Sequence, residues 1–155
     1  IVSFIIANLV FSFFFFFLKA KCFAGDVGSV SIAFVLVYLL LALILKSGNF
    51  YFILLLAVYG VDSVLTIMYR LSKRENIFEA HRSHLYQWMV KPGPFNHLQM
   101  SGIYMLVQAI VSCIIIFTIS ASVLVQLIIS ALILSSLATC YIAIKASYKK
   151  KYALL

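Results

Sequence analysis

The chain has 155 residues, of which 65% are hydrophobic and only 10% charged, and its formal net charge is +8. A soluble domain of this length has too little interior to hide that much apolar side chain, so the composition excludes a soluble enzyme and predicts an all-α, polytopic transmembrane helix bundle. The positive charge gathers at the ends of the apolar runs, where it sets topology, which argues against a nucleic-acid partner and for contact with membrane lipids.

Five apolar runs are long enough to cross a hydrocarbon core of roughly 30 Å at about 1.5 Å per residue. They are expected at about 1–18, 28–45, 50–70, 100–120 and 122–144, with cytosolic loops over 19–28 and 71–99 and a cytosolic tail over 145–155. The chain starts at Ile1 with no basic segment before its first apolar run, which predicts an amino-terminal truncation rather than a signal peptide. The first span carries five consecutive phenylalanines, Phe13 to Phe17, read as bulky lipid-facing or packing residues, with an aromatic lining for a lipid tail as the alternative. Cys22, Cys113 and Cys140 have no ligand-like spacing and are read as small buried or lipid-facing residues.

Lys19 and Lys21 open a polar stretch, Cys22-Phe23-Ala24-Gly25-Asp26-Val27-Gly28-Ser29. One reading is a turn in which Gly25 and Gly28 lend backbone freedom and Asp26 or Ser29 caps the next helix. The other is an oxygen-ligand site, since a hard cation favours carboxylate oxygen and a helix start offers N–H groups to phosphate. The second span then ends at Lys46-Ser47-Gly48-Asn49.

The third span contains Asp62, eight residues or about 12 Å of helix before Arg70. An ionisable group there costs roughly 2.5–3.5 kcal/mol on insertion scales and is expected to face the bundle interior or a polar cavity. The long polar segment that follows holds His81-Arg82-Ser83-His84, a donor-rich cluster able to grip a diphosphate. If this segment is helical, His81, His84, Leu85 and Trp88 share a face. The alternatives are an amphipathic segment lying against headgroups, or a zinc pair for which no third ligand is near. Pro92-Gly93-Pro94 breaks the segment, His97 lies beyond it, and the tail lysines Lys149-Lys150-Lys151 are expected at the interface.

Five spans alternate sides, so the Asp26 loop, the His81–His84 loop and the tail are expected on one face. That face carries eleven of the twelve Lys and Arg residues, against Lys46 alone on the other, which predicts that it is cytosolic. No internal repeat, soluble domain or coiled coil is evident.

Two of these stretches together resemble one family. Phe23-Ala24-Gly25-Asp26-Val27-Gly28-Ser29 is similar to the Phe-x-Gly-Asp-x-Gly-Ser signature of the polyprenyl-phosphate N-acetylhexosamine-1-phosphate transferases, glycosyltransferase family 4. Asp62-Ser63, Arg70, Phe78 and His81-Arg82-Ser83-His84-Leu85 resemble the later pattern of its UDP-GlcNAc-using bacterial branch. The resemblance covers roughly residues 15–90.

It implies a Mg²⁺-dependent transfer, with Mn²⁺ as a possible substitute, of a sugar-1-phosphate from a UDP-sugar to polyprenyl (undecaprenyl) phosphate. The place implied is the cytosolic face of a bacterial inner membrane, at the start of cell-wall, O-antigen or other surface-polysaccharide synthesis. By the resemblance Asp26 is a metal ligand and catalytic, Asp62 is catalytic as support of the polar floor of the site, and His81, Arg82 and His84 hold the sugar-nucleotide diphosphate. Gly25, Gly28 and Ser29 shape the loop and bind substrate. The family also carries an upstream Asp-Asp pair that this chain lacks, so the chain is expected to be the C-terminal half of an enzyme of about ten or eleven spans, inactive alone, with a homodimer left open. Phe16 and Lys19 stand where family members often have Asn and Pro. The competing readings are a fragment of a proton-coupled transporter, with Asp62 and the histidines as a relay, or a non-catalytic membrane subunit.

Overall fold

A computed structural model describes residues 6–10, 25–77, 79, 83–91 and 93–152, apart from the side chains of Asp26, Lys149, Lys151 and Tyr152. These residues form helices and connecting turns with no strand, and the protein is an all-α polytopic membrane protein. Four helical stretches are long and apolar enough to cross a membrane: Val27–Ser47, Phe50–Ser72, His97–Thr118 and Val123–Tyr148. Of the first expected span only residues 6–10 are described, and they are helical; the rest, with the Phe13–Phe17 run, Cys22 and the Lys19–Ala24 entrance, lies outside the described residues.

The chain divides into two units, Ile1–Ser47 and Gly48–Leu155. In the first, α1 spans Gly25–Ser47. It opens at Gly25, whose φ of 61° suits a residue without Cβ. Ser29 therefore sits inside the helix instead of capping it: its hydroxyl donates to the Gly25 carbonyl at 2.9 Å, and Ser31 does the same to Val27 at 2.7 Å. Such back-bonding satisfies a serine within its own helix, as an apolar surrounding demands.

The second unit begins with a seven-residue 3-10 helix, Phe50–Leu56, running into α2, Ala57–Ser72. Leu56 breaks the helix with φ −116° and ψ 17°. A break inside a span strands backbone groups, each worth several kcal/mol if left unpaired in lipid. Gln108 meets both: its Nε2 donates to the Leu54 carbonyl at 3.2 Å, and its Oε1 accepts from the Val58 amide at 3.1 Å. One amide thus lets an apolar stretch change pitch in mid-membrane.

A short α3, Leu85–Val90, lies in the long loop, followed by α4, His97–Thr118, and α5, Val123–Tyr152. The start of α4 three residues before the expected 100 has a cause in the sequence. Asn96 Oδ1 accepts from the Gln99 amide at 2.8 Å and Gln99 Oε1 accepts from the Asn96 amide at 3.0 Å, a reciprocal capping box. At the break before it Gly93 is obligatory, because a Cβ there would lie 2.0 Å from the Met89 carbonyl oxygen.

The 3-10 helix and α2 each pack on α4 and α5. The core is Tyr51, Leu54, Ala57, Val111, Ile115 and Ile133. Outward faces stay apolar: Phe50, Met105, Phe117 and Leu124 are all exposed, as expected where lipid is the solvent. Cys113 and Cys140 are also exposed on α4 and α5, in keeping with lipid-facing residues.

The expected tail from Lys145 needs correction. α5 runs on to Tyr152, so Lys145 is a helical residue and is buried. Lysine and alanine propagate a helix well, and nothing in Ala143–Lys150 stops one.

Candidate functional site

At the end of the second unit where α2 stops and α4 starts, ionisable and hydroxyl side chains from three spans meet. Asp62 on α2 is 5% exposed. Its Oδ1 accepts from the Thr66 hydroxyl at 3.2 Å and from the Leu85 backbone amide at 3.0 Å, while its Oδ2 accepts from the Tyr104 hydroxyl of α4 at 3.0 Å. His84 Nδ1 stands 3.4 Å from Oδ1. Charge-assisted hydrogen bonds of this kind contribute about 1.5–3 kcal/mol each, enough to offset the insertion cost of the carboxylate.

The network continues into α5. Thr66, fully buried, shares a hydrogen bond of 2.8 Å with the Tyr141 hydroxyl. Lys145 Nζ donates to the Tyr141 hydroxyl at 2.6 Å and to the Ser83 carbonyl at 3.0 Å, and lies 4.5 Å from the centre of the Tyr69 ring. Lys73, just past α2, covers the same ring at 5.0 Å, and its hydrogen bond to Tyr69 raises its pKa above the usual lysine range. Beside Asp62 lies a cavity of about 120 Å³ whose walls, Leu85, Met89, Met100 and Ile103 among them, are mostly apolar. Ser63, the residue after Asp62, has a buried hydroxyl oxygen with no hydrogen-bond partner among the described residues.

Arg70, 4% exposed, organises the first half of the loop. Its Nε donates to Glu75 Oε2 at 3.2 Å, and its other nitrogens donate to the Asn76, Ile77 and Glu79 carbonyls. The loop after α2 therefore wraps one guanidinium, whose five donors in a fixed fork suit that task. The turn into it is a Schellman motif, with Arg74 N to Leu71 O and Glu75 N to Arg70 O, both within 3.0 Å. Arg74 takes its left-handed position, at φ 55°.

His84 precedes α3 rather than lying on it: the helix starts at Leu85, and His84, at φ −64° and ψ 148°, is its N-cap residue. Of the helical face expected for His81, His84, Leu85 and Trp88, the helix holds Leu85 and Trp88, while His84 stands before it on extended backbone. Gln87 Oε1 accepts from the His84 amide at 3.3 Å, and the His84 ring stacks near Tyr86 with centroids 6.2 Å apart. His81, Arg82 and Phe78 lie outside the described residues.

Among the sequence-derived candidates, the structure brings Asp62 and His84 together and puts Gly25, Gly28 and Ser29 in the first turns of α1. Tyr104, Thr66, Tyr141 and Lys145 were missed by sequence reasoning. Their signal was faint: single hydroxyls and one lysine at the polar ends of apolar runs. Among the described residues no three His, Cys, Asp or Glu side chains converge on a metal position. The Asp62 carboxylate, with both oxygens engaged by protein donors, does not fit a metal ligand, and the Asp26 carboxylate lies outside the described side chains. No protein-family model, curated protein or solved structure matches the chain.

Proposed function

We propose that the chain is part of a bacterial inner-membrane phosphoglycosyl transferase. It passes a sugar-1-phosphate, GlcNAc-1-phosphate in the first instance, from a UDP-sugar to polyprenyl phosphate at the cytosolic face. An oxygen of the lipid phosphate attacks the sugar-bearing phosphorus, the bond from that phosphorus to the bridging oxygen breaks, and UMP leaves. His81, Arg82 and His84 bind the diphosphate, and Asp26 is the chain's own ligand for Mg²⁺, which when bound neutralises phosphate charge.

The observation that carries the reading is the anchoring of the His84 turn. Loops that only set topology need no buried partners, yet here Asp62 takes the Leu85 amide and lies 3.4 Å from His84. A group fixed in this way meets its ligand without an ordering cost at the moment of binding. Asp62 acts in this scheme by holding the floor of the site, not by touching substrate. A proton relay is the reading this geometry favours less. The interior beyond Asp62 turns apolar at Leu54, Ala57, Val111, Ile115 and Ile133, and the Gln108 amide is committed to the helix break.

The test is release of UMP from UDP-GlcNAc by the full-length protein in lipid nanodiscs supplied with undecaprenyl phosphate and Mg²⁺. Asp26→Asn is expected to abolish release. Turnover in that variant equal to the parent protein's would remove Asp26 from the metal site, and no release by the parent with any UDP-sugar would overturn the reading.

A further inference from the structure

We infer that Lys145 is a positioning residue for His84 of the donor cluster: its buried ammonium holds the Ser83 carbonyl while Asp62 holds the Leu85 amide, so two spans clamp the backbone on either side of His84. The inference rests on the reading of that cluster as the diphosphate site.

Lys145 is 9% exposed, and its hydrogen-bond acceptors are neutral: a backbone carbonyl and a tyrosine hydroxyl. Among the described residues its ammonium makes no ion pair with a carboxylate. A lysine near the end of a span ordinarily extends its stem along the helix and puts its charge in water. Burying the charge against neutral partners is costly, and an apolar side chain would fill the same place at less expense. Register and packing on α5 therefore do not account for a lysine here. A hydrogen bond of 3.0 Å to a carbonyl 62 residues away does.

The two grips are complementary. Lys145 is a donor and takes the carbonyl of Ser83; Asp62 is an acceptor and takes the amide of Leu85. They are also joined to each other, from Lys145 through Tyr141 and Thr66 to Asp62, by hydrogen bonds of 2.6, 2.8 and 3.2 Å. The clamp is thus one connected unit that spans α2 and α5. Without the Lys145 end, the turn keeps one fixed point at Leu85 and Ser83 loses its own.

The experiment uses the full-length protein in nanodiscs, carrying Lys145→Met, Lys145→Arg or Tyr141→Phe. Two readouts are taken: amide hydrogen exchange over residues 83–91, and the separate KM values for UDP-sugar and polyprenyl phosphate. Lys145→Met is expected to speed exchange over 83–91 and to raise KM for the UDP-sugar, each by about tenfold or more, the scale of losing a hydrogen bond to a charged group. Exchange over 105–118 and KM for the lipid stay as they are, and Lys145→Arg recovers most of the loss. Tyr141→Phe moves both readouts in the same direction by a smaller factor, and it decides the matter if Lys145→Met does not fold. Unchanged exchange and unchanged KM in these variants would overturn the inference, as would an equal loss for both substrates. Faster exchange in a protein that releases no UMP from any UDP-sugar would uphold the clamp and overturn the transferase reading alone.

Discussion

The two ends of the second unit satisfy their buried polar groups with different chemistry. At the end where α4 meets α5 the partners are neutral. Gln126, 6% exposed, donates to the Ile119 and Ala121 carbonyls at 2.7 and 3.3 Å and accepts from Asn49 at 3.1 Å. Asn49 in turn caps Tyr51 at 2.9 Å, and the Tyr51 hydroxyl meets Thr118 at 2.8 Å. At the other end a carboxylate, a guanidinium and an ammonium are buried. Amides close turns at small cost because no charge has to leave water, so a turn that only needs closing has no use for ions. The charged end does more than close a turn: Asp62 and Lys145 hold the backbone of Leu85 and Ser83, and Arg70 holds the carbonyls of Asn76, Ile77 and Glu79.

The largest expected effect breaks the charged end. Asp62→Ala strands the Leu85 amide and the Tyr104 hydroxyl and leaves Thr66 with Tyr141 alone, and it should lower the unfolding free energy in mixed micelles by about 3–5 kcal/mol, the range for removing one partner of a buried charged network. Asp62→Asn keeps an acceptor and should cost less. A loss below about 1 kcal/mol in Asp62→Ala would mean that the two ends are held alike after all.

Gln126→Leu is the matching change at the neutral end. It removes the donor to two carbonyls and the acceptor of Asn49, for an expected loss of about 1–3 kcal/mol. Protease cleavage at Arg82 reports on the loop, and its rate should match the parent protein's in this variant while rising in Asp62→Ala. Faster cleavage in both would show that the ends are coupled.

The contrast also explains what could be read from the residues alone. Four apolar spans were legible because hydrophobic runs bounded by charge have few alternatives in a membrane. Asp62 was legible as interior-facing because an isolated carboxylate in a span must find donors. The break at Leu56 was not, since Phe50–Leu56 is uniformly apolar and the residue that permits the break, Gln108, lies fifty residues downstream of Val58. Nothing local distinguishes Lys145 from Lys149 to Lys151, so the sequence alone puts it at the head of a basic tail. Its role is set by where the Ser83 carbonyl falls in space. The start of α4, by contrast, is written in Asn96-x-x-Gln99, a local signal that the stronger break at Pro92-Gly93-Pro94 masks.

The smallest effect sharpens the comparison by separating charge from backbone at the charged end. Arg74 and Arg70 are both basic and four residues apart, but among the described residues it is Arg70 that gathers the loop carbonyls. Arg74 is exposed, and its place in the Schellman turn requires a left-handed backbone, φ 55°, that glycine adopts without strain. The strain relieved by Arg74→Gly, about 1–2 kcal/mol, outweighs the roughly 0.5–1 kcal/mol of extra backbone entropy that glycine loses on folding. The variant should gain up to about 1 kcal/mol, a rise in thermal midpoint of roughly 2–4 °C for a chain of this size. Arg70→Gln should lose stability under the same conditions, because the loop carbonyls lose their guanidinium. A destabilised Arg74→Gly would assign the Arg74 side chain a part in holding the loop and extend the charged network past Arg70 into the turn itself.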